Sequence, residues 1–302
     1  MMRSQRTIKN AVTCEGLGLH SGQPVKMRIR PAAAGSGIVF IRTDIGNCEI
    51  RAVAANTAAT SHATTLGRNG AEVGTVEHLL AAFAGLNIDN AVVELDDAEV
   101  PIMDGSAGPF IRLIAGAGIR TQDRQQPMMK ITRPVFVREG DKQIAVWPAE
   151  TPAISCFIDF DHPLLREQGL RYAPSEDAFL REVADARTFG FVSDVKALQA
   201  NGLARGASLE NAVALAGDSV LNTEGLRYRD EFVRHKVLDL IGDFALVGMP
   251  VLGHIVAHKS GHALNARMVS RLLDSPQSWL IVGAPEETAV RRQEPQYQHA
   301  AL

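Results

Sequence analysis

The sequence predicts an α+β protein in which two similar sheet-plus-helices units pack together. Three observations point there. In each half, stretches with two-residue alternation give way to stretches with a helical 3.6-residue period. In each half, too, a helix bearing a histidine near its start (His78 or His235) precedes an apolar strand and a further helix. Between these lies TQDRQQPMMK, residues 121–130, polar and without apolar periodicity. It places the division there, giving units of 1–125 and 126–302. A chain of 302 residues has room for both.

The elements follow in order. PVKMRIRPA alternates and ends at Pro31, and GSGIVFIRTD follows a Gly-rich turn. SHATTLGRNGAEVG reads as strand, turn and strand. TVEHLLAAFAGL changes period: Val76, Leu79, Leu80 and Phe83 share one helix face, with Thr75 as N-cap and Gly85 as stop. NAVVELD is a buried strand, VPIMDGSAGPF a loop with a tight turn, and FIRLIAGAGI a second helix. In the second half, PVFVREGDKQIAVWPAE is a hairpin turning at EGD, and TPAISCFIDFDHP is a strand. DAFLREVADARTFGF runs from helix into strand, and DVKALQANGL is a short helix. EFVRHKVLDLIGDF, residues 231–244, is a longer helix, followed by PVLGHIVAHKSG as strand and turn. HALNARMVSRLL closes the fold as a helix with Ser260 as N-cap and His262 in its first turn. The polar tail from about Glu286 is expected to fray.

Composition narrows the function classes. Hydrophobic residues make up 46% and charged residues 22%, the balance of a globular domain. A net charge of −3 gives no general pull toward nucleic acid. No apolar run approaches the roughly 18–20 residues that cross a bilayer, so membrane contact is at most peripheral. MMRSQRTIKNAVTCEG is too polar for a secretory signal. Cys14, Cys48 and Cys156 are odd in number and far apart, which fits a reducing compartment such as the cytoplasm. A metal would therefore need His and carboxylate ligands.

Three segments carry such groups. On the 231–244 helix, Asp239 and Asp243 lie about 40° and 80° round from His235, while Val233, Val237, Leu240, Ile241 and Phe244 cluster opposite. The apolar face is complete without the polar stripe, which is then free to line a cleft. His and Asp at i, i+4 can reach one cation; a solvated face is the plain alternative. Glu77-His78 offers one more ligand and a carboxylate beside a metal-bound water. His78, His235 and Asp239 would leave a fourth position open, the catalytic zinc pattern. The alternatives are a dipole-stabilising Glu77 and a hydrogen-bonded His78. In KSGHALN, His262 sits at a helix start that disfavours its charge, and a partner such as Asp243 would restore it. A cationic imidazole there can steady an oxyanion and protonate a leaving amine. In ARTFGF, Thr188 can donate to an oxyanion, while Phe189 and Phe191 alternate as strand residues, with core packing as the alternative. Lys236 can meet a phosphate or remain a surface lysine. His20, His62, His254 and His258 belong to no motif.

Taken together, TVEHLLAAFAGLNIDN, PIMDGSA, ARTFGF, LNTEGLRYRDEFVRHKVLDLIGDF and KSGHALN strongly resemble the LpxC family. The match runs from GLGLHSG near residue 16 to the helix ending near residue 273. The resemblance implies two α+β domains sandwiched with the active site at their junction. Each domain would carry a small insert, the second a strand–helix–strand near 190–220 that forms a passage for an acyl chain. It implies a Zn²⁺ hydrolase of lipid A biosynthesis. The enzyme would remove the N-acetyl group from UDP-3-O-[(R)-3-hydroxyacyl]-N-acetylglucosamine and release acetate and a free amine. It further implies His78, His235 and Asp239 as metal ligands, Glu77 as general base and His262 as cationic acid. Asp243 would orient His262, and Thr188 would stabilise the oxyanion. Lys236, Phe189, Phe191, Lys142, Phe160 and His20 would border substrate. A monomer would suffice. Some members carry a cysteine in the stretch that here reads SHATTLG, so an inhibitory second-metal site would differ. The rival readings are a zinc amidohydrolase of another N-acylated sugar and a nonenzymatic zinc-stabilised module. The latter needs a fourth protein ligand.

Overall fold

The computed structural model describes residues 3–283. The tail from Glu286 lies outside the described residues. Two five-stranded sheets dominate, one from each half of the chain. The first is built from β1 (Val12–Leu17), β2 (Pro24–Pro31), β3 (Ile38–Arg42), β4 (Cys48–Arg51) and, after helix α1 (Glu77–Gly85), β5 (Ala91–Leu95). Helix α2 (Gly108–Ala117) follows. The second sheet contains β6 (Val135–Glu139), β7 (Lys142–Trp147), β8 (Ala153–Ile158) and β9 (Gln168–Tyr172). Helices α3 (Glu176–Glu182), α4 (Val192–Ala200) and α5 (Glu231–Phe244) come next, then β10 (His254–His258) and α6 (His262–Leu273).

The two sheets share one topology. Their orders are β1-β2-β5-β3-β4 and β6-β7-β10-β8-β9. In each, the strand formed last in sequence sits in the middle. It pairs antiparallel with one neighbour (β2 or β7) and parallel with the other (β3 or β8). The expected similarity of the halves thus appears as matched strand order and sense. Alternation explains the faces: Val25, Met27 and Ile29 of β2 are buried, while Lys26 and Arg28 between them are exposed. The buried faces receive helices. α6 packs on β6 and β7, α5 packs on β8 and β9, and α1 packs directly on α5.

Small sheets complete each half. Thr57–Ala59, Thr65–Arg68 and Ala71–Val73 form one, with Asn69 and Gly70 both at positive φ in its tight turn. Phe189–Phe191, Val213–Ala216 and Ser219–Val220 form another beside α4.

Several local expectations need correction. Residues 121–130, where no element is expected, are largely strand. Ile119–Gln125 pairs with Ser4–Ile8, and Met128–Ile131 pairs with Val251–Leu252 and Trp279–Val282, so backbone pairing rather than apolar periodicity orders this polar segment. Thr75 does not cap α1. It holds φ 54 and its hydroxyl donates to Glu99 Oε1 at 2.7 Å, while the N-cap is Val76. Ser260 is not the cap of α6 either; Gly261 takes that place without a side-chain bond.

Candidate functional site

The chemistry-bearing side chains converge where α1 meets α5. Gly242 of α5 makes this approach possible: a Cβ there would lie 2.0 Å from the Glu77 carbonyl oxygen. The first turn of α1, with Glu77 and His78, is thereby held against the middle of α5. Both helices are buried nearly all round. The polar stripe is therefore not a wet face, since His235, Asp239 and Asp243 are each at most 2% exposed.

His78, His235 and Asp239 present ligand atoms that all lie within 4.8 Å of one another. Asp239 Oδ1 is 3.3 Å from His235 Nε2 and 3.6 Å from His78 Nε2. His235 Nδ1 donates to the Ala186 carbonyl at 3.0 Å, which leaves Nε2 as a lone pair. Burial pushes the His235 pKa down to about 3, so the ring is neutral at pH 7. Two acceptors then face each other across 3.3 Å, and among the described residues no donor reaches Asp239 Oδ1. Such an arrangement is costly in a dry interior unless a cation lies between the acceptors. Two imidazoles and a carboxylate form a donor set that suits zinc or iron. The residues therefore fit a divalent metal.

Two further groups flank this centre. Glu77 is buried, and burial pushes its carboxyl above the usual range; its Oε2 accepts the Thr64 backbone N–H at 3.0 Å. His262 Nδ1 donates to Asp243 Oδ2 at 2.9 Å. Burial opposes the charge on His262. The Asp243 and Glu77 carboxylates outweigh it and push the pKa up to about 10. The other ring nitrogen, Nε2, lies 3.9 Å from both Glu77 Oε1 and Asp239 Oδ2. A carboxylate and a cationic imidazole thus face the same small volume beside the ligand atoms.

Of the remaining predicted residues, Lys236 and Phe189 lie beside this centre, with Phe160 and Phe191 next to Phe189. Lys236 Nζ is 2.7 Å from Asp239 Oδ2 and 5.6 Å from the centre of the Phe189 ring. It spans the Asp239 carboxylate and an aromatic wall, rather than standing free as a surface lysine. Burial works against the Asp239 charge, but the Lys236 ammonium beside it helps offset this, and the carboxyl lies well below the usual range. Phe189 stacks edge-on at 6.2 Å from His235 and 6.0 Å from Phe160, and Phe160 lies 6.5 Å from Phe191. Thr188 is half-buried, its backbone N–H donating to the Gly105 carbonyl at 2.8 Å. His20 is held by bonds from its own N–H and that of Ser21 to Glu99. Lys142 stands exposed at the start of β7, opposite Glu139. His254 bonds Ser155, His258 bonds the Asp141 carbonyl, and His62 is exposed.

Sequence reasoning missed three supports. Thr64 lies within the quoted SHATTLG but carried no local signal, because its partner Asp243 is 179 residues away. Ala186 acts through a backbone carbonyl, which no side-chain pattern reveals. Arg187 and Glu231 form a buried pair at 2.9 Å, and Glu231 also accepts the backbone N–H groups of Arg187 and Arg227. That pair fixes the ARTFGF segment to the start of α5, which sets the Ala186 carbonyl over His235.

A buried three-donor centre with a carboxyl group and an imidazole beside it is the arrangement of a metal-dependent hydrolase. A family model described as LpxC, UDP-3-O-acyl N-acetylglycosamine deacetylase, matches residues 5–274. A protein from Myxococcus xanthus (strain DK1622) is 51% identical over 93% of this chain and 90% of its own. One from Syntrophus aciditrophicus (strain SB) is 46% identical over 92% of this chain and 89% of its own. One from Anaeromyxobacter dehalogenans (strain 2CP-C) is 46% identical over 97% of this chain and 96% of its own. All three are named UDP-3-O-acyl-N-acetylglucosamine deacetylase. The chain belongs to the LpxC family.

Proposed function

We propose that the protein hydrolyses the N-acetyl group of UDP-3-O-[(R)-3-hydroxyacyl]-N-acetylglucosamine, releasing acetate and a free amine for lipid A biosynthesis. The observation that carries this reading is the pairing of a metal-ligand set with two groups of opposite proton function. Glu77 and His262 reach the same volume beside Asp239. Amide hydrolysis needs one group to take a proton and another to give one.

His78, His235 and Asp239 would hold the metal, for which we propose Zn²⁺. When bound, it would acidify a water and polarise the amide carbonyl. Glu77 takes the proton of the attacking water; its raised pKa suits acceptance. Thr188 donates to the developing oxyanion. His262, already charged and aligned by Asp243, gives its proton to the departing amine. Water adds to the carbonyl carbon, the C–N bond breaks, and acetate and amine leave. The aromatic group of Phe160, Phe189 and Phe191 supplies an apolar wall beside His235 for the acyl chain. Lys236 and Lys142 supply cations for the diphosphate, and His20 borders the sugar.

The division of the units at residues 125/126, a monomeric state and a cytoplasmic location are part of the same reading. Among the described residues, no helix is long and apolar enough to cross a membrane. Acetate release from the acylated nucleotide sugar, with metal analysis of the same preparation, tests the function. One metal per chain with multiple turnovers is expected. Metal-loaded protein that releases no acetate from this substrate overturns the reading. Glu77→Ala should keep the metal and lose about 10²- to 10⁴-fold in kcat.

A further inference from the structure

Thr64 sits between the two groups assigned to proton transfer. It is 1% exposed, and each of its polar groups meets part of the site. Its N–H donates to Glu77 Oε2 at 3.0 Å. Its carbonyl accepts the Val76 N–H at 3.2 Å, at the entry to α1. Its hydroxyl lies 2.5 Å from Asp243 Oδ1 and 3.4 Å from His262 Nδ1. An ionised carboxylate only accepts, so the hydroxyl donates to Asp243.

We infer that Thr64 is a positioning residue that locks the base and the acid into one geometry. The inference rests on the roles proposed above for Glu77 and His262. Asp243 Oδ2 already receives His262 Nδ1 at 2.9 Å and Asn265 Nδ2 at 2.8 Å. Both bonds fall on one oxygen, and the terminal torsion of an aspartate is broad. The Thr64 hydroxyl on the other oxygen fixes the carboxylate plane, and with it the direction of the His262 ring. The same residue holds Glu77 Oε2 from its backbone, so that Oε1 faces His262. One buried residue thereby sets the spacing of two groups drawn from α1 and α6.

The test removes the hydroxyl and keeps the shape. Thr64→Val should lower kcat about 10- to 100-fold, because a buried charged acceptor loses a donor. KM should change less than about threefold and metal content should stay at wild type. Thr64→Ser should restore most of the rate. In an Asp243→Ala background, Thr64→Val should cost less than about twofold, because the hydroxyl acts through Asp243. The proton resonance of His262 Nδ1–H, read without substrate, should move in Thr64→Val and return in Thr64→Ser. An unshifted resonance, or the same rate loss with and without Asp243, overturns the inference. Wild-type protein that releases no acetate would instead overturn the proposed function, and the resonance would still decide Thr64. Thr64→Ala takes the place of Thr64→Val if the latter does not fold.

Discussion

In both halves of the chain, five strands join in one order, with a helix before the central strand and another after it. The chemistry is shared unequally between them. In the first half, α1 brings Glu77 and His78 in its opening turn, while α2 begins Gly108-Pro109 and brings none of the predicted site residues. In the second, α5 carries His235, Asp239 and Asp243 along one stripe, and α6 opens on His262. Repetition of a topology supplies equivalent places for side chains but does not say which will be used. What couples the halves is the close approach of α1 and α5.

The largest expected effect comes from forcing that approach apart. Gly242→Ala gains helix propensity of about 1 kcal/mol, so a solvent-exposed site would be stabilised. Here the new Cβ would meet Glu77 backbone atoms at 2.0 to 2.9 Å, which cannot rotate away. We expect net destabilisation of about 1–3 kcal/mol and weaker metal binding, checked by chemical denaturation and metal content. A variant as stable as wild type would show that the halves have slack at this contact.

A second test reads His262, in the second half. His262 has its pKa raised from 6.5 to about 10, so its charge stabilises the folded state fully below about pH 6.5. That contribution declines above 6.5 and is lost as pH rises through about 10. The rate of acetate release should fall over the alkaline end of the same window. Asp243→Asn removes the first-named carboxylate and should move the alkaline limb to lower pH. His235 has the opposite sign. Its pKa is lowered to about 3, so the unfolded chain takes up a proton first and stability falls as pH drops below about 6.5. Stability against pH, followed by denaturant titration, checks both arms.

The smallest effects belong to the outer faces of the two sheets, which differ most in appearance. The first carries a charge ladder, with Lys26–Glu15 at 3.1 Å and Arg30–Glu94 at 2.7 Å. The second carries an exposed Phe136–Trp147 pair stacked edge-on at 5.2 Å, with Ala145 and Val256 in register beside Phe136. Glu15→Gln should change stability by less than about 1 kcal/mol, because exposed ion pairs are weak. Phe136→Ser should cost about as little and improve solubility. Measured losses well above that would mark either face as a structural contact.

Much of the site was legible because it is carried by local patterns. His235, Asp239 and Asp243 recur on one helical stripe, and Glu77-His78 and KSGHALN sit at helix starts. Thr64 and the Ala186 carbonyl were not, for different reasons. The first reaches a partner in the other half of the chain, and the second acts through an atom every residue owns. The caps failed in a similar way. Thr75 has the right side chain for an N-cap, but Glu99 competes for its hydroxyl and the backbone turns left-handed there.

By itself the sequence determined most of the element types, the similarity of the halves and the family, since periodicity and long ordered motifs are properties of the chain. It also singled out Glu77, His78, His235, Asp239 and His262 as candidates, because helical spacing limits which side chains can share a face. Tertiary structure alone decided that the polar stripe of α5 is buried and that two lone pairs face each other across 3.3 Å. It also decided that one threonine, Thr64, bridges Glu77 and Asp243. Those outcomes depend on helices from distant parts of the chain meeting at a glycine, a distance that sequence separation does not encode.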